Sequence, residues 1–319
     1  MKTFWILVTI PLVLLLNLIS AGQSEQRSLN LNMETNAVDT SAPNSFEETL
    51  EKAVEQFYQT RWTKAQSLFN DLKEMRPDDP RPHFFESMMP FWEYFFVHQK
   101  SDLANRFLEE SESAVDLSEK QLEENPSDTT MVFLLSGLHG YRSLVAASEK
   151  NYRIAMQSGV TGFGYTRQLL SIDSDRPDAQ IGRGMFYYMV GSIPSEVRWL
   201  TNLAGIRGDV DMGFRELEKA AESDNAVKYD AMMMLMYLHE KENQNEKAVA
   251  YSEQLTRRFP DNVIFHFKHA ELHEKLGNNE KAVESYKTVI AENNESLREI
   301  TEKSKARVDE LYALGLIDQ

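Results

Sequence analysis

The chain has 319 residues, 42% of them hydrophobic and 26% charged, with a formal net charge of −16. That length and composition suffice for a sizeable buried core, while the acidic balance argues against nucleic acid or an anionic membrane surface as partner, since both attract clustered Lys and Arg. Cysteine is absent, which removes disulfides, thiolate zinc sites, a cysteine nucleophile and a lipoprotein acylation site together.

Residues 1–22 read as a secretory signal: Lys2, an apolar run from Phe4 to Ile19, then the small residues Ser20-Ala21-Gly22 suited to cleavage. The expected location is therefore exported, periplasmic or secreted from a bacterium, with membrane contact only if the leader stays uncleaved. Residues 23–44 are polar without periodicity and read as a disordered linker. Ser45 with Glu48 forms a capping-box pattern for a first helix.

From 45 to 319 the pattern is helical throughout, with no convincing strand. Helices are expected at about 46–58, 62–76, 81–98, 102–124, 128–148, 151–173, 178–191, 195–206, 210–224, 227–241, 245–258, 262–276, 280–293 and 296–314. Four similar stops punctuate them, at Pro77, Pro126, Pro177 and Pro260, each followed by Asp, Asn or Ser able to cap the next helix. The stops at 77, 126 and 177 are about fifty residues apart, which predicts longer hairpins in the middle of the chain. Whether helix 195–206 pairs with 178–191 or with 210–224 is left open by the sequence.

Asn245-Glu246-Lys247-Ala248-Val249 returns unchanged as Asn279-Glu280-Lys281-Ala282-Val283, 34 positions later. Small residues at Ala53, Ala65, Gly213, Ala248, Ala270 and Ala282 mark close helix contacts, and Ala65-x3-Phe69 and Ala282-x3-Tyr286 carry an aromatic four residues on, where the 245–249 copy has Ser252. This spacing is that of the tetratricopeptide repeat (TPR), a helix–turn–helix unit. The fold expected is an all-α, TPR-like α-solenoid of about fourteen antiparallel helices, with the clearest repeats at 45–79, 194–225, 227–260 and 262–294. No single hairpin can bury its apolar stripe, so the units must stack.

A more particular resemblance lies in the middle. Asp178-Ala-Gln-Ile-Gly182-Arg-Gly184-Met-Phe-Tyr-Tyr188, then Pro194, then Gly208-Asp209 with Gly213 and Leu217, resembles the tetratricopeptide-39 / Iml2-type proteins over residues 125–290. The chain is also similar to exported bacterial TPR proteins. Both resemblances imply protein–protein interaction and supply no catalytic residue.

His266, His269 and His273 share one helical face, the spacing used by helix-borne metal ligands. Glu271, however, sits at the wrong position for the general base of an H-E-x-x-H enzyme. Packed core histidines are the competing reading. Gly159-x2-Gly162-x-Gly164 and Gly182-x-Gly184 lie in helical context and in the wrong order for a phosphate loop, so close helix approach explains them. Met232–Met236 and most of the aromatic run from Phe84 to Phe96 read as core. The glutamates between Glu109 and Glu124 read as a wet helix face.

By resemblance, the concave face is lined by Asp230, Met233, Tyr237, Glu240 and Lys241 in one repeat. The next contributes Ile264, Phe267, Glu271, Glu274 and Lys275. These suit an extended peptide or amphipathic helix carrying basic residues and lack the Lys/Arg pair of a carboxylate clamp. The function expected is an exported, non-catalytic scaffold that binds protein or peptide partners, without a cofactor. The alternative is a metal-binding protein or metal-dependent hydrolase centred on His266, His269 and His273.

Overall fold

The computed structural model describes residues 41–171, 177–192, 207–224 and 228–317. Among them are thirteen α-helices and no strand. They are α1 (Ser41–Tyr58), α2 (Trp62–Met75), α3 (Pro80–Trp92, prolonged by a π-helical turn Glu93–Val97), α4 (Ser101–Glu124), α5 (Thr129–Ser148), α6 (Tyr152–Ser171) and α7 (Pro177–Gly191). There follow α8 (Val210–Ala221), α9 (Lys228–Lys241), α10 (Asn245–Arg258), α11 (Val263–Lys275), α12 (Asn279–Glu292), a 3-10 turn Glu295–Leu297 and α13 (Arg298–Ala313). The leader, the linker up to residue 40 and the expected helix 195–206 lie outside the described residues.

Helices pack as successive hairpins, α1 on α2, α3 on α4, α5 on α6, α7 on α8, α9 on α10 and α11 on α12, each hairpin then touching the next. This is an α-solenoid. The pattern's small residues sit where helices touch: Ala53, Ala65, Ala248, Ala270 and Ala282 are all wholly buried. In the α7–α8 pair glycine takes that place. A Cβ on Gly213 would stand 2.7 Å from the Tyr188 nitrogen and 2.8 Å from the Gly184 oxygen, and one on Gly184 would stand 2.9 Å from the Gly213 oxygen. Backbone meets backbone there, so no larger residue fits. Gly159 lets α6 approach the Ser143 side chain of α5 and Gly162 lets it approach His139 and the Gly140 nitrogen, whereas Gly164 faces open space.

Three of the four stops act as their composition implies, whereas Pro177 is itself the first residue of α7, with Asp178 inside the helix. Asp79 accepts from the Arg81 nitrogen at 3.0 Å, Asp128 from Thr130 at 2.9 Å and Asn262 from Phe265 at 2.8 Å, each closing an exposed helix start. Gly277, at φ +75°, ends α11 in the left-handed conformation. The first cap is a correction. Ser45 lies inside α1, its carbonyl accepting from Thr49 Oγ1 at 2.6 Å, so the Ser45–Glu48 pattern marks no helix start. The middle hairpins are long, as expected: α4 has 24 residues and α5 and α6 have 20 each, against 14 in α9, α10 and α12. Six extra residues lengthen a helix by about 9 Å.

The ends of the solenoid meet. Phe84, Phe85, Phe91, Trp92 and Tyr94 are buried, and the cluster reaches into the last repeats. The Trp92 ring lies 4.9 Å from Phe57 of α1 and 5.9 Å from Phe265 of α11, Tyr58 stacks on Phe259 at 5.0 Å, and Phe95 lies 5.6 Å from Tyr237 of α9. Hydrogen bonds fasten the α1–α2 turn to two later turns. Asn262 Nδ2 donates to the Tyr58 carbonyl at 2.5 Å, the Asp261 nitrogen donates to Gln59 at 3.1 Å, and Asn294 Nδ2 donates to the Thr60 carbonyl at 2.8 Å. Thr60 takes φ +54° to make that turn. Arg61 pairs with Asp261, and Lys100 with Glu299 of α13 at 2.7 Å. The first hairpin and α3 thus occupy the face formed by α9, α11 and α13. Among the described residues no helix is long and apolar enough to cross a membrane.

Candidate functional site

The expected groove is largely filled by the chain itself. Asp230, Met233 and Ile264 are buried to within 1% of complete enclosure, and Tyr237 is covered by Phe95. Asp230 accepts a hydrogen bond from the Tyr58 hydroxyl of α1. Burial pushes its carboxyl up to about 8, against the opposing effect of that bond, so the acid stands neutral at pH 7 and is not a contact for a basic peptide. Lys241 turns its ammonium toward the Tyr188 ring, 5.6 Å away in the preceding hairpin. Asp230, Met233 and Ile264 are therefore not available to a partner on an open concave face, while Tyr237 and Lys241 are half-buried.

What remains accessible is a cleft of about 620 Å³ at the C-terminal end of that face. Its apolar side comes from Phe96 and Val97 in the π-turn of α3, Phe267 of α11 and Tyr286 of α12. Phe267 and Tyr286 meet edge to face at 5.6 Å. The polar side comes from Glu271, Glu274 and Lys275 of α11 and Lys303 and Arg307 of α13. Four of the ten expected groove residues, Phe267, Glu271, Glu274 and Lys275, are brought together here. A fifth, Glu240, ties two cations beside them: it pairs with Lys275 at 2.5 Å and Lys268 at 3.1 Å.

The charges form a chain of pairs. Lys268 reaches Glu271 at 2.7 Å, and Arg307 bridges Glu274 at 2.6 Å and Glu310 at 2.5 Å. Against a burial penalty, Glu271 and Glu240 hold the Lys268 ammonium above its ordinary value. Burial first, and then the Glu274 carboxylate, raises the Tyr286 hydroxyl so that it stays protonated. Lys303 donates to the Val97 carbonyl. Such a cleft can seat an apolar side chain on Phe96, Phe267 and Tyr286, while ion pairs at its rim exchange with a ligand's charges.

The sequence missed Phe96, Val97, Tyr286, Lys303 and Arg307. The aromatic of Ala282-x3-Tyr286 was a signal for one of them. For α13, the 34-residue register points to Thr301 and Lys305, of which Thr301 is buried; the lining residues lie two positions later.

Of the three histidines only His269 and His273 touch each other. His266 Nε2 donates to the Pro260 carbonyl at 2.8 Å, which commits that ring to the preceding stop. His269 and His273 remain together, 3.2 Å apart between their Nε2 atoms. All three line a second cavity of about 310 Å³ between α10, α11 and α12, His266 at its edge toward Pro260. Glu271 projects into the other cleft, away from the histidines, and the carboxylates that line their cavity are Glu253 and Glu284. Among the described residues no three side chains of metal-ligand type converge.

Stacked helical hairpins, close-packed at alanine and glycine and stopped at proline, define a helical-repeat protein of the tetratricopeptide type. Within that class, residues 178–304 match the family model described as Iml2/Tetratricopeptide repeat protein 39. The match begins at Asp178, takes in the α7–α8 glycine contact and includes α11, α12 and the first turns of α13. No curated protein matches the chain significantly.

Proposed function

We propose that this is an exported, non-catalytic scaffold that holds a protein partner in the cleft between the π-turn of α3 and helices α11, α12 and α13. The observation carrying this reading is the cleft's composition: three aromatic rings beside five charged side chains in about 620 Å³. That pairing of apolar floor and polar rim is the anatomy of a peptide-docking site. The partner's chemistry follows: an extended or helical segment that inserts one large apolar side chain flanked by charged residues of both signs. Export rests on the leader-like residues 1–22.

The test is site-specific photocrosslinking in the cells that make the protein. A crosslinker at the exposed Lys275 should capture a discrete partner, and Phe96→Ala should abolish the capture. A crosslinker at Glu280, exposed on α12 and outside the cleft lining, should not give that adduct. Equal capture from both positions would refute the assignment of the site. Retention of the intact leader and an intracellular location would refute export separately.

A further inference from the structure

The α9–α10 repeat lacks the aromatic that Phe69 and Tyr286 supply in their own repeats. Ser252 stands there instead, wholly buried, and the vacated space adjoins the cavity lined by His269 and His273. The Ser252 hydroxyl donates to the Val249 carbonyl at 2.8 Å. Its one proton is thereby used, so toward His269 Nδ1, 2.7 Å away, the serine oxygen accepts. His269 carries its proton on Nδ1, which leaves a lone pair on Nε2. That lone pair points at His273 Nε2, 3.2 Å away. The far nitrogen of His273 lies 3.5 Å from the Asn278 side-chain amide.

Two imidazole nitrogens bound to one zinc-like ion at about 2.0–2.1 Å with tetrahedral angles stand ~3.3 Å apart. The observed separation fits that geometry. Metal-bound histidines also hold the other ring nitrogen with a hydrogen-bonding partner, and Ser252 and Asn278 are placed to serve. We infer that His269 and His273 form a two-histidine site for a borderline divalent transition-metal ion such as zinc or copper(II). The remaining coordination positions fall to water. On binding, the proton between the two Nε2 atoms moves to His273 Nδ1, and Asn278 turns its amide oxygen toward that ring; no net proton need be lost.

Burial disfavours the charged form of both rings. The surroundings are mixed. Glu253 of α10 favours positive charge at both rings, Lys281 of α12 opposes it, and His266 of α11 opposes it at His269. Glu284 of α12 also lines the cavity. The site is distinct from the partner cleft, which opens on the other side of α11, and does not depend on it.

The experiment is calorimetric titration of zinc chloride into the full chain carrying no histidine tag, with electron paramagnetic resonance of the copper(II)-loaded form. One ion per chain is expected, with hyperfine coupling from two imidazole nitrogens. His273→Gln should weaken binding by more than tenfold, and Ser252→Ala by about tenfold. Lys281→Gln, an exposed change that leaves the rings in place, should tighten it, while His266→Gln should leave it unaltered. Two results would overturn the inference: no saturable binding by the folded wild type, or binding that is equally tight in His273→Gln and insensitive to Lys281→Gln.

Discussion

Asp230→Asn isolates the consequence of burying a carboxyl where α1 meets α9. Asp230 is fully enclosed, is raised to about 8, and bonds to the Tyr58 hydroxyl. In the unfolded chain its value returns to ~3.9. Between those two values the folded protein binds a proton that the unfolded chain has released, so stability falls as pH rises through this window. The slope is ~1.4 kcal/mol per pH unit, or ~3 kcal/mol between pH 5 and pH 7 from this residue. Asparagine keeps an acceptor for Tyr58 and the same shape but never ionises. Urea unfolding of both proteins at half-unit pH steps should give curves that draw together near pH 4 and diverge up to pH 8, with the variant more stable at the alkaline end. The histidines contribute alike to both proteins and cancel in the difference. Parallel curves across pH 5–7 would refute the assignment of a neutral buried acid at this position.

Gly213→Ala should cost about 1–3 kcal/mol, because the added carbon meets the Tyr188 nitrogen and the Gly184 oxygen rather than movable side chains. Gly164→Ala, facing open space in α6, should instead gain up to ~1 kcal/mol from helix propensity; thermal melts distinguish the two. Trp92→Ala should cost about 3–5 kcal/mol and make the α1–α2 turn accessible to proteases, since Trp92 joins Phe57 to Phe265. His269→Gln should flatten the acid limb of the stability curve: with its folded value depressed to about 4, His269 takes up a proton on unfolding below about pH 6.5, so its contribution to stability is lost as pH falls. Acid titration followed by circular dichroism checks it.

The repeat architecture was legible because it is written in local chemistry. Ala248 and Ala282 must be small where two helices touch, and Asp79, Asp128 and Asn262 must cap what a proline has just ended. Each requirement falls within a few residues of its cause. The meeting of the two ends was not legible. It depends on Thr60, Asn262 and Asn294, polar turn residues without periodicity, whose partners lie more than two hundred positions away in sequence for the Thr60 contacts. The concave-face rule therefore named residues correctly placed on α9 and α11, yet could not show that α1 and α3 would cover Asp230, Met233 and Ile264. For the histidines, helical spacing put three on one face. It could not reveal that Pro260 engages His266 or that Ser252 engages His269.

The contact between the two ends also sets a timetable for synthesis. Tyr58 waits for Asp230, 172 residues later, and Thr60 for Asn294, 234 residues later. At about 5–20 residues per second, that is roughly ten to fifty seconds of translation. Throughout that interval Tyr58 and Trp92 lack their final cover from Phe259 and Phe265, and a nascent chain in that condition is a ready substrate for a holding chaperone. A ribosome stalled before residue 228 should therefore display an aromatic surface that the finished molecule hides.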